Sequence, residues 1–150
     1  MIIPKSSEEI ELQRESALIV SKTLGMLAPE IRPGVTTLQL DKLAEEFIRD
    51  HGAVPGFLGL YDFPNSLCMS PNAQVVHGIP NNIPLQEGDI ISIDCGALKN
   101  GFYGDHAYTF AVGTIAPEVE ELLKVTKEAL YEGIREFKAG NRVGDVGYAI

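Results

Sequence analysis

The sequence predicts an α/β domain of the α+β type, in which helices pack on a curved antiparallel sheet. Apolar residues recur at helical spacing in two N-terminal segments, and each segment begins with a helix-capping signal. Further along, a β-branched run from Asp89 to Leu98, the turn Asn100-Gly101 and a second run from Phe102 to Val112 predict a β-hairpin. The predicted order along the chain is therefore helix, helix, strands and helix.

The two N-terminal helices are predicted from their caps and their apolar stripes. Ser6 with Glu9, and Thr36 with Gln39, have the spacing of capping boxes, in which a hydroxyl and a carboxyl or amide side chain satisfy free backbone N–H groups. The apolar stripes are Ala17, Val20, Leu24 and Leu27 in the first helix, and Leu40, Leu43, Phe47 and Ile48 in the second. Both stripes predict helices that bury one face.

The C-terminal part predicts a third helix that begins at Pro117 and ends at Gly140, and the start of a fourth helix at Val143. The predicted buried side of the third helix consists of Leu122, Ala129, Leu130, Ile134 and Phe137. The segment 137–150 also echoes the segment 31–44, and this echo predicts the start of a second copy of the helix, helix and strand unit. We therefore expect the chain to be part of a longer protein.

Residues 53–113 predict strands and loops, with runs at 67–70 and 74–79 before the hairpin. If Asn100 and Gly101 form a two-residue loop, Gly96 lies opposite Asp105. Because side chains alternate along a strand, Asp94 and Asp105 then share one face as diagonal neighbours.

Two carboxylates on one half-buried face repel each other unless a cation lies between them. Glycines at positions 96 and 104 are expected to leave room for that cation above the sheet. Asp94 and Asp105 are therefore candidate metal ligands. Geometry alone leaves two alternatives open: a solvent-exposed carboxylate pair, or a β-bulge that changes the parity.

Composition narrows the function classes. The formal net charge of −9 at pH 7 disfavours nucleic acid as a ligand, since phosphate binding needs a basic surface. No segment has the pattern of a signal peptide or a membrane span, so a soluble protein of the cytoplasm is expected. The two cysteines, Cys68 and Cys95, lack the paired spacing of a zinc site and are expected to be reduced thiols.

The three histidines differ in context. His51 precedes a helix-ending glycine, where a hydrogen-bond donor favours the helix dipole, so a structural role is expected. His106 follows Asp105 directly, and strand alternation predicts that it points to the opposite face. For His77, the residues alone leave two interpretations open: a core histidine bonded to the backbone, or a catalytic group.

Three ordered motifs carry a family resemblance. They are residues 72–80 (NAQVVHGIP), residues 88–94 (GDIISID) and residues 100–105 (NGFYGD), the last continuing to Gly113. Together they resemble type I methionine aminopeptidase over the full length of the chain. The resemblance implies the pita-bread fold, with residues 1–150 as the N-terminal part of a single catalytic domain whose second half is absent.

The resemblance also implies site residues and cofactors. Asp94 and Asp105 match two metal ligands, with Asp105 bridging both metals, and His77 matches a catalytic histidine that contacts substrate. Phe57, Phe63 and Cys68 match the substrate-binding pocket. The implied cofactors are two divalent metal ions (Mn, Fe, Co or Zn), and the implied reaction is removal of the N-terminal initiator methionine by a metal-bridging hydroxide.

The implied partner is a nascent polypeptide with an N-terminal methionine, with ribosome association left open and a monomeric full-length enzyme expected. The implied remaining ligands, one histidine and two glutamates, are missing from residues 1–150, so this chain alone is expected to be inactive. Two other interpretations stay open: a non-catalytic half-domain that binds a peptide or a partner, and a proline-peptidase or creatinase relative. The Val76-to-Pro80 motif disfavours the proline-peptidase or creatinase interpretation. The short N-terminus also disfavours it, because members of that group usually carry an extra domain before the catalytic one.

Overall fold

The computed structural model describes residues 3–150, which form two compact units, one ending at Thr114 and the other spanning Ile115–Ile150. The first unit contains helices α1 (Ser7–Leu27) and α2 (Thr37–Asp50) and strands β1 (Val54–Pro55), β2 (Leu67–Pro71), β3 (Ile90–Lys99) and β4 (Phe102–Ala111). The second unit contains helices α3 (Pro117–Glu136) and α4 (Val143–Ala149). The predicted order of elements is confirmed.

Both predicted capping boxes are present. The Ser6 hydroxyl accepts a hydrogen bond from the backbone N–H of Glu9, whose carboxylate accepts one from the Ser6 N–H at 2.7 Å. Thr36 and Gln39 form the same reciprocal pair at the start of α2. These bonds satisfy backbone donors that the first helical turn leaves free, and so they fix where each helix begins.

The sheet is antiparallel and is organised around β3. Strand β4 pairs along the whole of β3, and β1 and β2 pair with β3 along its other edge. The odd-numbered side chains of β3 from Ile91 to Ala97 face the helices and are fully buried, whereas its even-numbered side chains face the opposite side. The core between the helices and the sheet includes Val20, Leu24, Leu27, Leu40, Ala44, Ile48, Leu67, Met69, Ile91, Ile93, Cys95 and Ala97.

Helix α1 approaches the hairpin closely. The Ser16 hydroxyl donates a hydrogen bond to the Phe102 carbonyl at 2.8 Å. A Cβ atom placed on Gly104 would lie 2.4 Å from the backbone nitrogen of Ala17. Gly104 therefore makes room for α1 on the helix side of the sheet, and the expectation that it leaves space beside the carboxylates was wrong. Residues 97 and 104 pair directly, so Gly104 shares the core face with Ala97.

Two further expectations about local structure were wrong. Residues 74–79 form an irregular loop, because His77 has a φ of 58° and cannot continue a strand. In the second unit, four of the five side chains expected to form the buried face of α3 are exposed, with Phe137 at 78%, and Ala129 is half-buried. An apolar stripe shows that a helix has a face suited to packing, but it does not specify a partner. Within this unit, α4 packs on α3 through Ile150 and Val146, which lie against Gly133.

A candidate metal centre on the central hairpin

The hairpin turn determines where the two aspartates lie. Asn100 and Gly101 have φ values of 52° and 81°, as a tight turn with both central residues left-handed requires. Lys99 therefore pairs with Phe102, and Gly96 pairs with Asp105. Asp94 is two residues from Gly96, so both carboxylates lie on the face of the sheet away from the helices. The predicted register and the shared face are confirmed, and no bulge interrupts the pairing.

The two carboxyl groups interact strongly. Burial, the charge of Asp105 and a hydrogen bond between the two carboxyl groups raise the pKa of Asp94 to about 6, against the opposing effects of the His77 charge and the Cys95 backbone N–H. Asp94 Oδ1 is buried and has no hydrogen-bond partner among the described residues. A buried carboxylate oxygen without a donor is costly, and a cation is one way to satisfy it.

Strand β2 borders this pair on the other edge of β3. Cys68 pairs with Asp94, and its side chain is 7% exposed. Burial, together with the charges of Asp94, Asp105 and Asp41, raises the pKa of the Cys68 thiol to about 11. The thiol is therefore neutral at pH 7 and contributes a small apolar wall. Cys95 has its pKa raised to about 12, mainly by burial, and it faces the helices.

The Phe57 ring lies against Gly96, the residue that pairs with Asp105 in the hairpin. A Cβ atom placed on Gly96 would lie 2.6 Å from Cε1 of the Phe57 ring, so the absence of a side chain at Gly96 makes room for that ring. The backbone N–H of Gly56 donates to the Gly96 carbonyl at 2.8 Å and holds the segment in place. The space expected for a cation above Gly96 is thus filled by an aromatic ring.

The remaining predicted site residues lie on loops. His77 is exposed, and its backbone has the left-handed conformation. It lies near enough to Asp94 for its charge to favour the ionised form of that carboxyl group. Phe63 is half-buried and ends the tight turn at Leu60–Asp62, where its carbonyl accepts a hydrogen bond from Gly59 at 2.9 Å. The structure thus brings Asp94, Asp105, His77, Cys68 and Phe57 together, while Phe63 lies at the end of a neighbouring turn. His51 bonds to the Phe47 carbonyl at the end of α2, and the register places His106 on the helix side of the sheet.

One residue that holds this region in place was not identified from the sequence. Asp41, in α2, is 5% exposed, and its carboxylate accepts hydrogen bonds from the backbone N–H groups of Ser66 and Leu67 and from the Asn65 amide. It therefore fixes the start of β2, one residue before Cys68. The available signal was an aspartate between Leu40 and Ala44, which both belong to the buried stripe of the helix.

The donor set suits a divalent metal but covers only part of its coordination. Two carboxylates offer oxygen ligands that Mn, Fe, Co and Zn accept. Within residues 3–150 no group of three or more His, Cys, Asp or Glu side chains is arranged to hold a metal ion. The unpartnered Asp94 oxygen and the closeness of Asp105 nonetheless fit a cation on this face.

The fold and the family model assign this chain to a class of metallopeptidase. The chain belongs to metallopeptidase family M24, whose sequence model matches residues 11–150. It is similar over its whole length to the methionine aminopeptidase of Clostridium perfringens, at 49% identity, and to that of Clostridium acetobutylicum, at 50%. The chain spans about 60% of the length of each of these curated relatives.

Solved structures agree with this assignment. The methionine aminopeptidase of Rickettsia prowazekii is 37% identical and superposes with a TM-score of 0.97 over 99% of this chain and 60% of that one. The Xaa-Pro dipeptidase of Bacillus anthracis is 26% identical, with a TM-score of 0.81 over 91% of this chain and 37% of that one. The expected fold class is confirmed: helices pack on an antiparallel sheet that forms part of the pita-bread fold. Among the described residues no helix has the length and apolar content needed to cross a membrane.

Proposed function

We propose that this chain supplies one side of the active site of a cytoplasmic methionine aminopeptidase, which removes the initiator methionine from nascent polypeptides. The observation that carries the proposal is the Asp94 and Asp105 pair, with its unpartnered carboxylate oxygen, beside His77. Similarity favours this activity over a proline peptidase, because among solved structures the methionine aminopeptidase of Rickettsia prowazekii matches at 37% identity and the Xaa-Pro dipeptidase at 26%.

Asp94 and Asp105 would hold a pair of divalent metal ions, Mn, Fe, Co or Zn, with Asp105 as the shared ligand. When bound, the metals would polarise the first peptide carbonyl of the substrate and supply a hydroxide nucleophile at neutral pH. Asp94 would be fully ionised as a ligand, because a cation reverses the effect of the neighbouring negative charge on its pKa.

The protein side chains would bind and orient the substrate. The His77 imidazole is exposed near the carboxylates, where it would donate a hydrogen bond to the scissile amide or its developing oxyanion. Phe57, Phe63 and the neutral thiol of Cys68 would line an apolar pocket for the methionine side chain. A thiolate there would repel the carboxylates, so the raised pKa of Cys68 is compatible with this role.

The test measures hydrolysis of a methionyl tripeptide with added Mn, Co or Fe. The chain alone is expected to be nearly inactive, because two carboxylates are too few ligands to hold two cations against water. Activity is expected when the chain is mixed with the remaining C-terminal portion of the Clostridium perfringens relative, or joined to it as a full-length form. The matched control is the same mixture carrying Asp105→Asn.

Three outcomes would count against the proposal. Full activity of the chain alone would mean that the ligands have been misassigned. A folded full-length form that binds metal without hydrolysing the peptide would favour a non-catalytic module that binds a peptide or partner. Faster turnover of Xaa-Pro peptides than of methionyl peptides would favour the proline-peptidase alternative.

A further inference from the structure

His77 is one of five non-glycine residues in the described part of the chain that have a positive φ. His77 has a φ of 58°, in the left-handed region that residues other than glycine rarely adopt. The residue is exposed, so burial of its own side chain does not impose this conformation. Contacts elsewhere must therefore hold it, because an unfavourable backbone conformation persists only where its surroundings determine it.

Gly78, the next residue, is fastened to strand β2 at both of its backbone polar groups. Its carbonyl accepts a hydrogen bond from the Met69 N–H at 2.8 Å, and its own N–H donates to Ser70 Oγ at 3.0 Å. The approach is so close that a Cβ atom on Gly78 would lie 2.0 Å from the Met69 carbonyl oxygen. The loop and the strand therefore touch backbone to backbone, which only glycine permits at this position.

Ser70 provides the side-chain part of this attachment. Ser70 is 3% exposed and Gly78 is buried, so the Gly78 N–H, which donates to Ser70, has no water at hand as a replacement acceptor. Ser70 also lies in the strand that carries Cys68, the residue paired with Asp94. One short strand segment thus holds Gly78, the neighbour of His77, and also carries the wall beside the carboxylate pair.

We propose that Ser70 is a positioning residue for His77: its hydroxyl, acting through Gly78, holds His77 in the left-handed conformation that places the imidazole beside Asp94 and Asp105. A second attachment holds the loop three residues further along the chain, at Asn81. The Asn81 N–H donates to Thr37 Oγ1 at 2.8 Å, and the Asn81 carbonyl accepts from the Leu38 N–H at 3.1 Å. Loss of the Ser70 bond leaves the Gly78 carbonyl bonded to the Met69 N–H, but it releases the Gly78 N–H, which belongs to the peptide group that joins His77 to Gly78.

The first test uses NMR on the chain itself and does not depend on activity. A left-handed residue has a short amide-to-Hα distance and a strong intraresidue NOE, so His77 is expected to show one. In Ser70→Ala that NOE is expected to be lost, and amide exchange of Gly78 is expected to accelerate by roughly tenfold or more, since its N–H loses its acceptor. Ser70→Thr, which keeps the hydroxyl, is expected to retain both signals.

Ser66→Ala is the matched control. Ser66 is also fully buried and lies just before β2, but its hydroxyl has no hydrogen-bond partner among the described residues. It should leave the His77 NOE and the Gly78 exchange rate unchanged. Ser70→Cys keeps the side-chain volume with a weaker acceptor, and it gives a second measurement if the alanine variant unfolds. An unchanged NOE and unchanged exchange in Ser70→Ala, or in Ser70→Cys if that variant has to be used, would overturn the proposal.

The second test rests on the proposed function and uses the full-length form. Ser70→Ala is expected to lower kcat by about 10²-fold, the scale of a small misplacement of a reacting group, with KM and metal content near wild type. Ser66→Ala should keep wild-type kcat. Normal kcat in Ser70→Ala would overturn the positioning role. If the wild-type form does not cleave methionyl peptides at all, the proposed function fails while the NMR result still decides whether Ser70 holds His77.

Discussion

Replacing Asp41 tests whether one buried carboxylate fixes the start of strand β2. In Asp41→Ala the backbone N–H groups of Ser66 and Leu67 lose their common acceptor, Oδ1, which lies 3.0 and 2.8 Å away. Each buried donor left without a partner costs about 1–3 kcal/mol. Two such donors give a gross cost of roughly 2–6 kcal/mol, before any relief from removing a buried charge.

Removal of the buried charge offsets part of this cost, because the raised pKa of Asp41 shows that burial disfavours its ionised form. Burial is the largest influence, and it outweighs the hydrogen bonds from Asn65, Leu67 and Ser66, which act in the opposite direction. The net destabilisation expected for Asp41→Ala is therefore about 2–4 kcal/mol. Asp41→Asn keeps an oxygen acceptor for both backbone donors and has no charge to bury, but its amide nitrogen would face the Asn65 amide, which has to turn over to accept from it. Its expected cost is therefore about 1 kcal/mol, which is below that of Asp41→Ala.

The two variants also differ from wild type in pH dependence. A carboxyl group whose pKa is higher in the folded than in the unfolded chain favours folding while it is protonated. That contribution is complete below the ordinary value of 3.8 and is lost as the pH rises through the folded-state pKa. The amide introduced by Asp41→Asn cannot titrate, so the stability of this variant relative to wild type should improve as the pH rises through that range.

Urea unfolding followed by far-UV circular dichroism, with a chelator present, measures these differences between pH 4 and pH 7.5. The free energy of unfolding of each variant is compared with wild type at every pH, so that other titrating groups cancel. The reasoning would be refuted if Asp41→Ala cost less than about 0.5 kcal/mol, the scale of an ordinary surface substitution. It would also fail if Asp41→Asn were as damaging as Asp41→Ala.

Three further substitutions test the site and the packing behind it. In the full-length form, Asp105→Asn should reduce metal occupancy and abolish turnover, since an amide does not bridge two cations as a carboxylate does; normal metal stoichiometry by mass spectrometry with a normal rate would contradict this. His77→Ala should keep its metal while kcat falls by roughly 10²-fold, and a parallel loss of metal would make His77 a ligand. Gly104→Ala should destabilise the chain by about 1–3 kcal/mol, because the added methyl group would meet the backbone of α1. The matched control is Gly25→Ala in α1, where the added methyl group has open space. In the same urea assay this control should be neutral or stabilising.

The hairpin could be predicted in detail because its determinants are local. The two residues of the Asn100-Gly101 turn are enough to fix the register of the two strands. Strand alternation then places Asp94 and Asp105 on the same face. The starts of α1 and α2 could be predicted equally well, since a capping box is contained within four residues. Wherever one turn or cap determines the geometry, the sequence alone was sufficient.

The remaining features depend on contacts between distant segments. The strand expected at residues 74–79 is overridden by the attachment of Gly78 to Met69 and Ser70. The absence of a side chain at Gly96 makes room for Phe57, a partner 39 positions earlier by sequence number. Local alternation cannot show which segment will occupy a space, so these contacts were missed although the residues involved were identified.

Two unfavourable features of the first unit lie close together, and their proximity supports a functional interpretation of the hairpin. Asp94 carries a buried oxygen with no hydrogen-bond partner among residues 3–150, and His77 has a left-handed backbone. Each feature costs stability, and each could be removed by a single substitution: an apolar side chain in place of Asp94 removes the buried oxygen, and glycine in place of His77 removes the backbone strain. A domain selected for stability alone has no reason to place them so close together that the charge of His77 lowers the pKa of Asp94. A bound cation would satisfy the Asp94 oxygen, and a substrate would use the orientation of the His77 imidazole, so both costs find a physical reason in the proposed metal centre.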